Sequence, residues 1–371
     1  MIFVARSLAT VLAQSLYRSL VILALLPGAV GAASAQTVDG VEQTWRSWMS
    51  QQGRTTGSLA ILHGGRMARE AAAGREAVGE AVPVASLSKA VTGVCIAGLV
   101  EGGRLSFETP LSQALSRTFG RIGRPADPRL AAATIGELLS HRAGFGPGTD
   151  AASGPLASYL LGNTARRTAF DTQLRWVISR QLPLVPGERY AYSNAAYLIL
   201  GAVIEEASGH DYESFCRQTV LLPLGARNAG LDPAWRILSS YGGWLMPIAD
   251  YGRFYQAFAP DNPAIGPRAR AWMMSPEGKQ VGGGVHYGLG TFVRPTRSGA
   301  ANFWHWGAWS YELRGAYDGP LSASYSAFAV RWGASDTNLV AHFAPRLEGG
   351  GAQNDFDRTM GAAVGAVKTW P

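Results

Sequence analysis

The way apolar periodicity is distributed along this chain narrows its fold more than any other feature. Val41 to Gln52 carries Trp45 and Trp48 at i, i+3, the spacing of an amphipathic helix. Ser58–Leu62 and Met67–Ala73 follow, separated by His63-Gly64-Gly65-Arg66, which reads as a β-hairpin with His63 a turn residue. From Ser86 to about Gly230 the pattern is mainly helical, with segments predicted over Lys89–Glu101, Thr134–Ser140 and Tyr197–Ser208. Beyond Gly242 a helix is expected over Asp250–Phe258, capped by Asp250. Strand-like runs come next at Tyr287–Phe292, Asn302–Trp306, Leu313–Tyr317, Ser324–Trp332 and Leu339–Phe343, and a helix over Asp355–Lys368 closes the chain. Strands and helices at both ends with a helical block between them predict one α/β domain: a sheet with a helical insertion. The sheet-bearing part is expected at about 36–85 and 235–371, and the helical part at about 86–234.

Residues 1–35 stand apart. Arg6 and Arg18 precede the apolar stretch Leu20–Leu26, the segment has no acidic residue, and Ala33-Ser34-Ala35 supplies a small-x-small cleavage pattern. This predicts a signal peptide cleaved after Ala35 and an exported protein, periplasmic or secreted. An uncleaved anchor is the alternative, although the stretch falls short of the ~20 apolar residues a span needs, so no stable membrane span is expected after cleavage. The formal charge is +7, nearly all of it scattered arginine with no basic run, which argues against a nucleic-acid partner. Cys95 and Cys216 are the only cysteines; Cys95 lies in an apolar helical pattern and reads as a buried free thiol. The six histidines are dispersed without metal-ligand spacing, so neither metal nor cofactor is expected.

The chemistry concentrates in three places. Ser86-Leu87-Ser88-Lys89 opens a helix, and residues three apart share a helix face, so the Ser86 hydroxyl can meet the Lys89 amine. A serine needs a neighbouring base to become a nucleophile, and a lysine serves when burial depresses its pKa. Only three lysines stand in this arginine-rich chain, Lys89, Lys279 and Lys368, so one inside an apolar helix marks a titratable amine. Ser88 adjoins Lys89 but faces elsewhere. The second place is Tyr192-Ser193-Asn194, after the Pro186-Gly187 turn. Its phenol can relay a proton and its amide can bind a carbonyl and the lysine amine; alternatively Tyr192 is packed and Asn194 is a helix N-cap. The third is His305-Trp306-Gly307-Ala308, where a chargeable side chain precedes a glycine that admits close backbone approach. The Ala308 N–H can then join that of Ser86 as an oxyanion hole.

In this order and spacing the three elements resemble the serine β-lactamase and penicillin-binding family, especially its class C β-lactamase, D-Ala-D-Ala carboxypeptidase and esterase branch. Further landmarks support the resemblance: Val100–Leu105, Thr134–Phe145, Pro223-Leu224-Gly225, Gly242-Gly243-Trp244 and Tyr287-Gly288-Leu289-Gly290. The resemblance implies an antiparallel sheet flanked by N- and C-terminal helices. It also implies Ser86 as nucleophile, Lys89 and Tyr192 as the proton-transfer pair, Asn194 as substrate-positioning residue and His305 at the third-motif position. His141 matches a landmark histidine taken as structural.

Lactam-cleaving members of the family usually carry Lys-Thr-Gly where this chain has His305-Trp306-Gly307. Losing the small hydroxyl, which helps hold a substrate carboxylate, and gaining Trp306 there implies an esterase or amide hydrolase with a preference for apolar groups. A cell-wall D-Ala-D-Ala carboxypeptidase or β-lactamase is the alternative, and a catalytically idle binding or scaffold homologue is a third reading. The expected partner is a small ester, amide or peptide substrate.

Overall fold

The computed structural model describes residues 36–149, 166–231, 238–316 and 319–371; the expected signal peptide lies outside them. Helix α1 (Val38–Gln51) begins at Thr37, whose side chain accepts from the Gly40 N–H, and leads into strands β1 (Thr56–His63) and β2 (Arg66–Ala73). Gly64 and Gly65, both at positive φ, make the two-residue turn between them. A short strand β3 (Ala81–Pro83) and a 3₁₀ turn (Ala85–Leu87) precede α2 (Ser88–Glu101). The insertion contains α3 (Ile135–Leu139), closed by a Thr134–Glu137 capping box, and α4 (Asn194–Ser208). Strands β4 (Gly230–Leu231) and β5 (Trp244–Pro247) join β3 in a small sheet, before α5 (Ile248–Phe254) and α6 (Pro267–Met274). Strands β6 (Gln280–Gly282), β7 (Val285–Gly288), β8 (Thr291–Pro295), β9 (Ala301–Ala316), β10 (Gly319–Trp332) and β11 (Thr337–Ala344) precede the closing helix α7 (Gly349–Gly365).

The main sheet has eight antiparallel strands in the order β2-β1-β11-β10-β9-β8-β7-β6. Side chains alternate between its faces, so the central strands β1, β10 and β11 serve two cores. Leu59 and Ile61 of β1, Phe328 of β10 and Phe343 of β11 pack with Trp45, Trp48 and Phe356 of the terminal helices. Ala60, Leu62, Ala327, Ala329 and Val340 face the larger core beneath the helical insertion. A bond from Trp48 Nε1 to the Asp355 carboxylate (2.8 Å) ties α1 to α7. Among the described residues no helix is long and apolar enough to cross a membrane.

Four expectations change. Tyr287–Phe292 is not one strand: it turns at Leu289 and Gly290, both at positive φ, into the β7–β8 hairpin. The runs at Asn302 and Leu313 are parts of the single strand β9. Asp250 stands in the first turn of α5 rather than capping it, because the chain enters from Pro247; its carboxylate accepts from the Asn228 N–H and pairs with Arg253. Cys95 is not a free thiol, since the insertion folds Cys216 against α2 and the two form a disulfide.

Candidate active site

Ser86 lies in the middle of the 3₁₀ turn that feeds α2, one turn before Lys89. The turn is held from several sides. The Val84 N–H donates to the Trp244 carbonyl (3.0 Å), the Trp244 N–H donates to Ser88 Oγ (3.1 Å), and the Tyr251 hydroxyl donates to the Leu87 carbonyl (2.9 Å). Ser88 is therefore a clip between α2 and β5. Ala85 sits at φ 47°, a left-handed conformation that costs a non-glycine residue of order 1–3 kcal/mol. That strain turns the backbone at the residue before the serine.

Lys89 is fully buried, yet its amine has acceptors. It donates to Ser86 Oγ (3.1 Å), Asn194 Oδ1 (2.7 Å) and the Tyr241 carbonyl (2.9 Å). Its Nζ also stands 4.8 Å from the Tyr192 ring centroid, within cation–π range. Asn194 is free to serve the lysine because Ser193 is the N-cap of α4, accepting from the Ala196 N–H. Tyr192 remains 39% exposed beside the buried lysine.

Strand β9 supplies the opposite wall. It pairs with β8 from Ala301 as far as Trp304, and beyond that Gly307 lies against the serine turn. A Cβ on Gly307 would fall 2.6 Å from the Val84 carbonyl oxygen and 2.9 Å from Ser86 N, so only glycine admits this approach. Ala308 is next along the strand, opposite Ser326 of β10.

His305 is buried, and its charge state follows from its bonds. Nδ1 lies 2.6 Å from the Trp306 carbonyl, which only accepts, so Nδ1 carries the proton. Nε2 then accepts from the Tyr287 hydroxyl at 2.9 Å. Burial, reinforced by the Lys89 charge, pushes the imidazole down to about 3. Burial thus favours the neutral imidazole at the third motif, where the sequence suggested a side chain able to carry charge.

The structure does not bring Trp306 to the site. It is one residue beyond His305, so alternation turns it to the other face, where it stacks on Phe328 (centroids 4.2 Å apart) and meets Phe356 edge-on. The aromatic wall is built instead by residues outside the three motifs. His141, at φ 57°, accepts from the Ser193 N–H through Nδ1 (3.1 Å) and packs 4.4 Å from the Tyr192 ring and 4.6 Å from Tyr287. Burial and the neighbouring Lys89 hold it neutral as well. Tyr241 contributes its carbonyl, and its ring centroid stands 5.8 Å from Lys89 Nζ. The landmark segments around His141, Gly242 and Tyr287 were the available sequence signal, but what each residue touches was not readable from them. Among the described residues no group of three potential metal ligands occurs.

Comparisons with known proteins identify the family and the fold. A family model described as Beta-lactamase matches residues 39–324. Esterase EstB of Burkholderia gladioli is 30% identical over 154 residues, 41% of this chain and 38% of that protein. The matched stretch spans less than two fifths of that relative's length. Among solved structures, the octameric penicillin-binding protein homologue of Pyrococcus abyssi superimposes with a TM-score of 0.65 at 19% identity, covering 86% of this chain and 77% of that one. EstCE1, a hydrolase with promiscuous acyltransferase activity, gives 0.65 at 18% identity over 90% and 98% of the two chains. D-alanine carboxypeptidase AmpC of Burkholderia cenocepacia gives 0.64 at 15% over 88% and 98%. These three likenesses establish the fold.

Proposed function

This chain belongs to the Beta-lactamase family, and from that premise we propose that it is an exported serine hydrolase that cleaves carboxylic esters or uncharged amides through an acyl-enzyme on Ser86. The observation that carries the reading is the amine of Lys89, buried and held 3.1 Å from Ser86 Oγ by Asn194 and the Tyr241 carbonyl. In its neutral form a lysine placed this way takes the serine proton as Oγ attacks the substrate carbonyl, becoming the ammonium. Negative charge on the former carbonyl oxygen is stabilised by the backbone N–H groups of Ser86 and Ala308. As the tetrahedral adduct collapses, the leaving alcohol or amine receives the proton through Lys89 and Tyr192. Water, deprotonated by the same pair, then attacks the Ser86 ester, releasing the acid and restoring the hydroxyl.

The substrate class follows from the third motif. Lys-Thr-Gly members present a cation and a hydroxyl to a substrate carboxylate, whereas His305 here is neutral and Trp306 faces away. A substrate with a carboxylate at that wall gains no ion pair and bears the cost of desolvation. This favours uncharged esters over penicillins or peptidoglycan stems, and EstB and EstCE1 are relatives in keeping with it. The Cys95–Cys216 disulfide suits an oxidising compartment.

Purified protein is expected to hydrolyse short p-nitrophenyl esters, and Ser86→Ala to reduce the rate at least 10³-fold while folding normally. Nitrocefin turnover faster than ester hydrolysis would refute the substrate preference. A folded wild type that a fluorophosphonate probe leaves unlabelled at Ser86 would refute the enzyme itself.

A further inference from the structure

Along β9 from the serine turn, a second cavity opens at the start of the strand. Phe303 and Arg331 are register partners there, as Gly307 and Ala327 are beside Ser86. The four-residue offset places the two sites about 13 Å apart. The cavity has a volume of about 200 Å³, with Phe258, Pro260, Met274 and Phe303 among its walls and, among the described residues, Arg270 and Arg331 as its charged lining residues.

Arg331 is the unusual member. It is only 1% exposed, and two of its nitrogens are engaged: Nη1 donates to Asn338 Oδ1 (3.0 Å) and Gln256 Oε1 (3.3 Å), and Nη2 donates to Asp336 Oδ1 (2.6 Å). Its Nε–H has no acceptor. The amide nitrogen of Gln256, whose oxygen already accepts from Arg331, is likewise buried without one. Buried donors of this kind are uncommon and call for an acceptor. Arg270 lines the same cavity; burial disfavours its protonated form, the Asp261 charge partly offsets this, and the Arg331 charge adds to it. Among the described residues no acidic side chain lines the cavity itself; Asp336 pairs with Arg331 from outside the lining.

We propose that this cavity is a ligand site, separate from the Ser86 site, for a small monocarboxylate with a compact apolar body. The carboxylate would accept from Arg331 and Arg270, and the body would fill the Phe258–Phe303–Met274 walls. A volume of this size suits an aryl ring or short acyl chain, since a 150 Å³ apolar cavity takes up benzene. Inorganic phosphate or sulfate would leave the apolar walls uncovered.

Isothermal titration of benzoate and of benzyl alcohol, the same ring without the charge, tests this on the full chain carrying Ser86→Ala. The expected result is 1:1 benzoate binding, with benzyl alcohol at least tenfold weaker. Met274→Trp, which fills the cavity from α6, should weaken benzoate at least tenfold. Arg270→Gln, at a half-buried position, should weaken benzoate while sparing benzyl alcohol, and it keeps the test available should the tryptophan variant fail to fold. Absence of benzoate binding, equal affinity for the alcohol, or benzoate affinity unchanged in a folded cavity variant would each overturn the proposal, the first pointing to water in the cavity and the last to binding elsewhere.

Discussion

Gly307→Ala tests the site at the contact between β9 and the serine turn. The added methyl would sit 2.6 Å from the Val84 carbonyl oxygen, 2.9 Å from Ser86 N and 3.0 Å from Ala85 Cβ. Ordinary contact begins near 3.4 Å, so the turn or the strand must yield by roughly 0.8 Å. Two of the three atoms are backbone, and no rotamer change can move them. The turn cannot retreat freely, because Trp244 and Tyr251 grip it on either side of Ser86. A shift of that size also stretches the 3.1 Å Lys89–Ser86 contact and moves the Ser86 N–H from where the oxyanion forms. Misplacement on the ångström scale costs about 10²-fold in rate, or about 2.7 kcal/mol of transition-state stabilisation at 1.36 kcal/mol per decade. Overpacking adds about 1–3 kcal/mol of lost stability. The assay is kcat/KM for p-nitrophenyl butyrate alongside a thermal melt, with Gly98→Ala as control. Gly98 is an exposed α2 residue whose added methyl meets nothing within 4 Å, so its variant should keep full activity and gain up to about 1 kcal/mol. If Gly307→Ala keeps its rate within threefold of wild type, the close approach does not position the nucleophile and the argument fails.

Three further outcomes follow. Trp306→Ala should cost about 2–3 kcal/mol by emptying the stack on Phe328 yet leave KM for esters unchanged; a tenfold KM change with an unaltered melt would return Trp306 to the substrate wall. Cys216→Ser should lower stability by about 2–5 kcal/mol, as the disulfide closes a loop of 121 residues, and reductant should bring wild type to the same melting temperature; a melt indifferent to reductant would contradict this. His305 is held at about 3 against its ordinary 6.5, so between those values the unfolded chain binds a proton that the folded protein refuses. Its contribution is complete above pH 6.5 and drains away as pH falls toward 3; urea midpoints at pH 7, 5.5 and 4 should therefore fall less steeply in His305→Gln, and equal slopes would sink this.

What sequence revealed and what it withheld divide along physical lines. Ser86 and Lys89 were legible because helical spacing places their side chains together before any tertiary contact forms. Asn194 was ambiguous: cap and lysine partner are the same residue type at the same position, and only Ser193 taking the cap decided it. Trp306 was misplaced because strand parity depends on register, and a one-residue offset reverses the face. The state of His305 depends on burial, and the acceptor role of Tyr241 belongs to its backbone; neither leaves a mark on side-chain identity. Cys95 and Cys216 lie 121 residues apart, and their meeting is a property of how the insertion packs.

The strand order has a consequence for when the nucleophile becomes competent. Besides its hairpin partner β2, β1 pairs with β11 at the far end of the chain, so the sheet's centre closes only after residue 344 is in place. Ser86 leaves the ribosome early, but β9, which completes its wall, needs β10 and β11 to hold it in the sheet. A nascent or truncated chain therefore carries a serine and a lysine without the strand that makes them a site. On the proposed function, hydrolytic activity becomes a readout of finished folding, and a partly synthesised copy is expected to be chemically silent.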